Sequence, residues 1–232
     1  MEGSTPVGEA LRLLDGLDST QPSDGLRAVL FAMSDRIDEA RALAQAAERH
    51  ARELGREVHM PSGVIEALLG NHEAAADRIG AWCAWLEKRG QTAGVPECTG
   101  MHGRELALAG RYEEAERRAA RALELNQRLS RQDPLAQSLW RQATALVASH
   151  RGEHTEAERL AREALTDILE TDCPQYQADA FCDLAEVLEA ADRHEDAIAA
   201  WHEALDRYER KGIIPLARRT RERLSALQET RI

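Results

Sequence analysis

The sequence predicts an all-α protein, a stack of five helix pairs with one further helix at each end. Three observations predict this fold. A short motif recurs five times, small residues occupy fixed positions around it, and the prolines lie just before the predicted helices. The composition agrees: the 232 residues are 31% charged and only 4% aromatic, and Leu, Ala and charged residues dominate, as is typical of helical proteins.

The recurring motif has Ala at its fourth position and begins 35, 40, 42 and 40 residues apart, at Ile37, His72, Tyr112, His154 and His194. Two residues before each start lies a residue type that ends a helix and allows a tight turn. These residues are Asp35, Gly70, Gly110, Gly152 and Asp192. Each block is therefore predicted to be a helix, a tight turn and a second helix.

Small residues recur in columns around the motif. Nine residues before each start lie Ala28, Gly63, Gly103, Ala145 and Ala185, and three residues after it lie Ala40, Ala75, Ala115, Ala157 and Ala197. Most blocks also have Ala seven and ten residues after the start. These spacings place the alanines on one helix face. They predict a close-packed seam, in which a bulky residue would cost about 1–3 kcal/mol.

Proline is tolerated in the first helical turn but breaks helix interiors. We therefore predict first helices near 23–34, 61–69, 97–109, 134–150 and 176–191, and second helices near 37–54, 72–89, 112–130, 154–170 and 194–210. Helices near 7–17 and 214–228 are expected to cap the two ends of the stack. The blocks span 22–55, 56–91, 92–131, 132–172 and 173–212, and the capping segments span 1–21 and 213–232. The arginines of the last helix are expected to form a solvated face.

Charge and cysteine content exclude several classes of protein. A net charge of −11 disfavours binding to phosphate backbones, so we expect no nucleic-acid partner. No apolar run is long enough for a membrane span, and the start of the chain does not resemble a signal peptide, which favours a cytoplasmic protein. The four cysteines form no C-x-x-C pair, so neither a zinc site nor a disulfide framework is expected, and Cys83 and Cys182 are interpreted as small free apolar residues.

No catalytic motif occurs in the sequence. The patterns G-x-S-x-G, H-E-x-x-H, G-x-G-x-x-G and the EF-hand loop are all absent. His72, His154 and His194 share a repeat position with Ile37, which argues for packing at the turn rather than metal binding. We therefore predict no catalytic residue, no metal ligand and no cofactor.

The third block, with Gly103, Gly110, Tyr112 and Ala115, and the fifth block resemble the tetratricopeptide repeat (TPR). Four stretches, 133–141, 156–164, 183–188 and 208–212, more closely resemble the C-terminal TPR regions of large bacterial signalling proteins that carry ATPase or nucleotide-cyclase domains. This likeness covers about residues 65–228. The chain has no G-x-x-x-x-G-K-[ST] phosphate loop of its own. The resemblance implies a right-handed superhelical solenoid whose first helices line a concave surface.

Projecting the repeat onto that surface predicts a binding strip that runs from apolar to acidic and suits a basic or amphipathic protein segment. Its residues are Met33, Met60, Val64, Arg104, Leu108, Leu139, Gln142, Leu146, Asp179, Cys182, Glu186 and Glu189. The alternative is that these residues contact neighbouring helices or water.

The second block departs from the repeat, with Ile79 and Trp82 where other blocks have mostly Ala, and with Trp85 nearby. We predict a kink or a pocket between the second and third blocks; simple packing of the aromatic residues is the alternative.

The function expected from these patterns is a non-catalytic protein-interaction, scaffold or regulatory module. A sensor that binds a peptide or a small ligand and controls a signalling or transcription partner is the first alternative. An enzyme with an unrecognised site and a homodimer formed through an end face also stay open.

Overall fold

The computed structural model describes residues 3–16, 24–55 and 60–229, and within these ranges it contains twelve α-helices and no β-strand. The helices are α1 (Val7–Asp15), α2 (Asp24–Met33), α3 (Ile37–Glu53), α4 (Met60–Leu69), α5 (His72–Lys88), α6 (Val95–Leu108), α7 (Tyr112–Gln127), α8 (Pro134–His150), α9 (His154–Leu169), α10 (Pro174–Ala190), α11 (His194–Lys211) and α12 (Ile214–Glu229). The predicted all-α class is confirmed. None of these helices is long and apolar enough to cross a lipid bilayer.

The helix bounds lie close to the predicted ones, with small differences at the ends. Helix α6 begins two residues earlier than predicted, so that Pro96 lies within its first turn, and α7 ends at Gln127 rather than at residue 130. Parts of the predicted helices near 7–17 and 23–34, together with Pro22, fall in residues 17–23, outside the described ranges.

The turns between paired helices share one geometry. The five predicted turn residues, Asp35, Gly70, Gly110, Gly152 and Asp192, all have positive φ, between 57° and 79°. In each turn the next residue donates its N–H to the carbonyl five residues earlier, as Arg111 does to Leu106 at 2.8 Å. This pattern satisfies carbonyl groups at the end of the first helix. The recurring Gly and Asp therefore mark backbone positions that require the left-handed conformation.

The predicted small-residue seam is buried. Ala40, Ala75, Ala115, Ala157 and Ala197 are all fully inaccessible to solvent. A Cβ atom added to Gly103 would lie 3.3 Å from the backbone nitrogen of Ala119 on the facing helix. The two backbones therefore approach too closely at this point to accommodate a larger residue without movement.

The second block fills its seam differently. Ile79 is fully buried, and a Cβ atom added to Gly63 would lie 2.7 Å from its Cγ1 atom. Glycine on α4 thus makes room for isoleucine on α5, at a position where three of the other four blocks have alanine.

The two ends of the chain meet, which the sequence did not predict. Val7 of α1 lies in the same buried cluster as Tyr208 and Ile213 near the other end of the chain. Helix α12 contacts α2 and α4, and its Arg218 forms a salt bridge of 2.8 Å with Asp35. The end helices therefore close the array instead of capping two separate ends, because the successive helix pairs curve until the ends come into contact.

Cys83 and Cys98 form a disulfide between α5 and α6, which corrects two expectations. The sequence predicted no disulfide and interpreted Cys83 as a free apolar residue. Their Cα atoms are 6.0 Å apart because α5 and α6 run side by side and the two residues occupy facing positions. Cys173 and Cys182 are not disulfide-bonded.

Candidate binding cavity

A cavity of about 880 Å³ lies between α4, α6, α8, α10 and α12. Side chains from all five helices line it, together with His72 and two residues of α11. Eight of the twelve residues predicted for the concave strip are among them: Val64, Arg104, Leu108, Leu139, Asp179, Cys182, Glu186 and Glu189. The first helices of the blocks thus bring distant parts of the chain to one enclosed space.

The other four residues of the predicted strip do not line this cavity. Met33 and Leu146 are buried in separate apolar clusters. Gln142 is buried within α8 and donates a hydrogen bond of 2.7 Å from Nε2 to Oγ of Ser138. Met60, the first residue of α4, is half-buried. For Met33, Gln142 and Leu146 the alternative interpretation is therefore correct, because they pack within the helical core instead of facing a binding surface.

The cavity wall has an apolar side and an acidic side. Val64, Leu108 and Leu139 contribute apolar surface from three different helices. Helix α10 contributes four acidic residues at spacings of four, three and three, which place them on one helix face. These residues are Asp179, Asp183, Glu186 and Glu189.

A buried salt bridge crosses the cavity wall between α6 and α10. Nε and Nη2 of Arg104 donate to the two carboxylate oxygens of Asp183 at 2.6 and 2.8 Å. Burial opposes the charged form of Arg104, but the neighbouring carboxylates, Asp183 above all, outweigh burial and raise the pKa of Arg104. The bidentate geometry makes this contact both strong and directional.

Glu105 and His72 extend this polar network toward α5. Nη1 of Arg104 lies 3.3 Å from Oε1 of Glu105, and Nδ1 of His72 lies 2.7 Å from Oε2 of the same carboxylate. His72 was expected only to pack at its turn, and Glu105 was not predicted to be a site residue. Because Glu105 is almost fully buried, both of its partners are needed to compensate its charge.

Helix α12 forms part of the wall, although its arginines were expected to be solvated. Arg219 and Arg223 line the cavity, and Arg223 pairs with Glu189 of α10. Outside the cavity, Arg221 pairs with Glu209 at 2.7 Å. The arginine cluster of this helix gave no signal for these contacts, since the facing residues come from distant parts of the chain.

Three acidic side chains of α10, those of Asp179, Asp183 and Glu186, have raised pKa values. Burial raises the pKa of Glu186 to about 7, and repulsion from Asp183 adds to this effect. Burial raises the pKa of Asp179 to about 6, although Arg104 and a hydrogen bond from the Tyr208 hydroxyl favour the ionised form. The cavity therefore holds carboxyl groups whose charge changes near neutral pH.

Cys182 is the one cysteine among the residues that line the cavity. Burial raises the pKa of the Cys182 thiol, which keeps it protonated and weakly nucleophilic. Among the described residues, no group of three or more His, Cys, Asp and Glu side chains is placed to hold a metal ion. The cavity combines apolar surface with directed charges, as ligand sites do.

Ile79, Trp82 and Trp85 lie outside the lining of this cavity. Ile79 is in the core, whereas Trp82 and Trp85 are half-buried and stack with ring centroids 4.8 Å apart. Both indoles pack against the cluster that contains the disulfide of α5 and α6. They fill space at the junction of the second and third blocks.

No protein-family model matches the chain, and no curated protein sequence is similar to it. Among solved structures, it is similar to the crystal structure of BtubC (BKLC) from P. vanneervenii, with a TM-score of 0.56 and 18% sequence identity. The similarity covers 87% of this chain and 86% of that chain. At this identity the likeness concerns the fold alone, and it is consistent with a helical-repeat architecture for this all-α chain.

Proposed function

We propose that this chain is a TPR-like solenoid of five helix pairs, closed by its two end helices, that acts as a non-catalytic protein-interaction module. The observation that carries the proposal is the cavity of about 880 Å³, into which the first helices direct both apolar and charged side chains. Five equivalent turns and a buried alanine seam support the repeat architecture.

The expected occupant is a short segment of a partner protein. The apolar side formed by Val64, Leu108 and Leu139 suits an aliphatic or aromatic side chain, and the acidic face of α10 suits a basic one. An amphipathic or basic segment combines both features. A bacterial signalling role stays a prediction from the sequence resemblance, and a cytoplasmic location stays a prediction from the hydropathy pattern of the sequence.

Selection of peptides against the folded chain tests this proposal. Random twelve-residue peptides displayed on phage would be selected on the wild-type protein, and the enriched peptides would be measured by fluorescence anisotropy. The comparison variant is Leu108→Trp, which adds volume inside the cavity, with Glu113→Gln on the exposed face of α7 as the control. We expect the enriched peptides to lose affinity for the first variant and to bind the second normally.

Two results would contradict the proposal. The first is that no peptide is enriched, and the second is that peptides bind Leu108→Trp as well as they bind the wild type. Circular dichroism of each variant would establish that its helix content is unchanged.

One observation favours a sensor as the second candidate function. Helix α12 lines the cavity and also holds the two ends of the chain together through Arg218 and Asp35. An occupant that contacts α12 would therefore shift the balance between a closed and an open array. Faster amide hydrogen exchange in α12 on peptide binding would support this function, and unchanged exchange would contradict it.

A further inference from the structure

Glu186 is the one carboxylate on the acidic face of α10 that has no bonded partner in the described part of the chain. Asp183 is paired with Arg104, Glu189 accepts from Arg223 and from the Trp201 indole, and Asp179 accepts from a tyrosine hydroxyl. Glu186 takes part in no hydrogen bond or salt bridge with any residue that the structure describes. Among the four acidic residues of α10 that line the cavity, it is therefore the one with a free carboxylate.

Glu186 is surrounded by protein yet reachable from the cavity. The side chain lies among the lining residues and has a large accessible fraction, because it faces open space rather than packed atoms. Burial of its carboxyl group is nonetheless the main cause of its raised pKa. Because this carboxylate is open to the cavity and lacks a protein partner, a ligand that supplies a hydrogen-bonding positive charge can pair with it.

The charge balance of the wall favours a cation over an anion as the ligand. Six carboxylates line the cavity against three arginines. Two of these arginines, Arg104 and Arg223, are already paired with acids. The guanidinium of the third, Arg219, lies against the backbone of Gly70 at the end of α4 and forms no salt bridge with Glu186. Negative charge therefore remains in excess near α10.

We infer that Glu186 anchors a lysine or arginine side chain of the bound protein segment, whose ammonium or guanidinium group enters the cavity. This inference rests on the proposed function and names the group that is recognised. The methylene stem of such a side chain would pack on the apolar side, and its charged end would donate charge-assisted hydrogen bonds to the carboxylate.

Titration calorimetry with defined probes tests the inference. The probes are a peptide enriched in the selection that contains one arginine, the same peptide with citrulline in place of that arginine, and spermidine. Citrulline keeps the shape of the side chain and removes its charge. We expect the arginine peptide to bind the wild type at least about tenfold more tightly than the citrulline peptide, a difference of about 1.4 kcal/mol.

The matched variants are Glu186→Gln and Glu113→Gln, which change the net charge equally. Glu113 lies on the exposed face of α7, away from the cavity. Glu186→Gln should remove the preference for arginine, and Glu113→Gln should leave it intact. Loss of the preference in both variants would assign it to overall charge and overturn the inference.

Other outcomes separate this inference from the proposed function. Equal binding of the arginine and citrulline peptides by the wild type overturns the anchor, while peptide binding in the cavity still stands. The same holds if every selected peptide lacks lysine and arginine. Binding of spermidine with no peptide binding contradicts both, because the occupant is then a free cation rather than a protein segment.

Discussion

Two junctions between helix pairs show how one repeat pattern produces different packing. At the junction of the fourth and fifth blocks, the first helices α8 and α10 pack side by side, and alanines such as Ala157 and Ala197 fill the seams. At the junction of the second and third blocks, α5 packs on α6, whereas α4 lacks comparable close backbone contact with α6.

The difference follows from a few residues of the second block. Helix α4 has ten residues, against seventeen in α8 and in α10. Ile79 and Trp82 lie at repeat positions where most other blocks have Ala. Cys83 joins α5 to α6 covalently through its disulfide with Cys98. In this block, with its short first helix, Val64 and Leu68 of α4 face the cavity.

The largest loss of stability is expected from Arg104→Met. The salt bridge of Arg104 with Asp183 joins α6, at the junction of the second and third blocks, to α10, at the junction of the fourth and fifth blocks. The variant leaves buried carboxylates uncompensated, so the free energy of unfolding should fall by about 3–5 kcal/mol. Urea unfolding followed by circular dichroism measures it. Arg151→Met, which removes an exposed salt bridge to Glu116, should have a much smaller effect on the free energy of unfolding. Similar losses for both variants would show that the Arg104 contact is not buried.

A second prediction concerns the exchange of volume between Gly63 and Ile79. Ile79→Ala should lower the free energy of unfolding by about 2–5 kcal/mol, because it leaves a cavity in the core. Gly63→Ala alone should cost about 1–3 kcal/mol, because the new methyl group meets the Ile79 side chain. The double variant restores an alanine pair, so its cost should be clearly less than the sum of the two. Additive costs would mean that α4 and α5 do not touch at this point.

The regular junction is tested by Ala157→Leu. Ala157 is fully buried in the seam between α8 and α9, so the larger side chain should lower the free energy of unfolding by about 1–3 kcal/mol. Glu113→Gln, at an exposed position, should change it by less than about 0.5 kcal/mol. Chemical denaturation of both variants gives the comparison, and an equally small effect of Ala157→Leu would contradict the assigned helix register.

The smallest expected effect is a pH dependence that belongs to Glu186. Folding raises the pKa of this carboxyl from its ordinary value of 4.5 to about 7, so the folded state favours the protonated form. The resulting contribution to stability is fully present below pH 4.5 and is lost as the pH rises through 7. Glu186→Gln should therefore match the wild type in melting temperature at pH 4 and exceed it slightly at pH 8. A wild type that is the more stable of the two at pH 8 would show that Glu186 has a favourable partner after all.

Much of the fold could be predicted because its determinants are local. Turn residues such as Gly110 and Asp192 reveal where the backbone must adopt positive φ, and the alanine spacing reveals which helix face is buried. The same register placed Arg104 and Glu186 on the inner faces of their helices, and both line the cavity.

The remaining features depend on distances that local patterns do not contain. The pairing of Arg104 with Asp183 joins residues 79 positions apart, and the meeting of α12 with α2 depends on curvature accumulated over the whole array. The disulfide escaped prediction because Cys83 and Cys98 match no known spacing and become neighbours only when α5 and α6 pack together. For the same reason Met33 was assigned to the binding strip although it lies in the core.

The most direct test of the account is a double-mutant cycle on Arg104 and Asp183, since the central claim is that α6 and α10 face each other across one enclosed cavity. The free energies of unfolding of the wild type, Arg104→Met, Asp183→Leu and the double variant would be measured under one set of conditions. We predict a coupling energy of about 1–3 kcal/mol, with the double variant more stable than the sum of single losses implies. A coupling energy indistinguishable from zero would mean that the two side chains do not meet, and it would contradict the account.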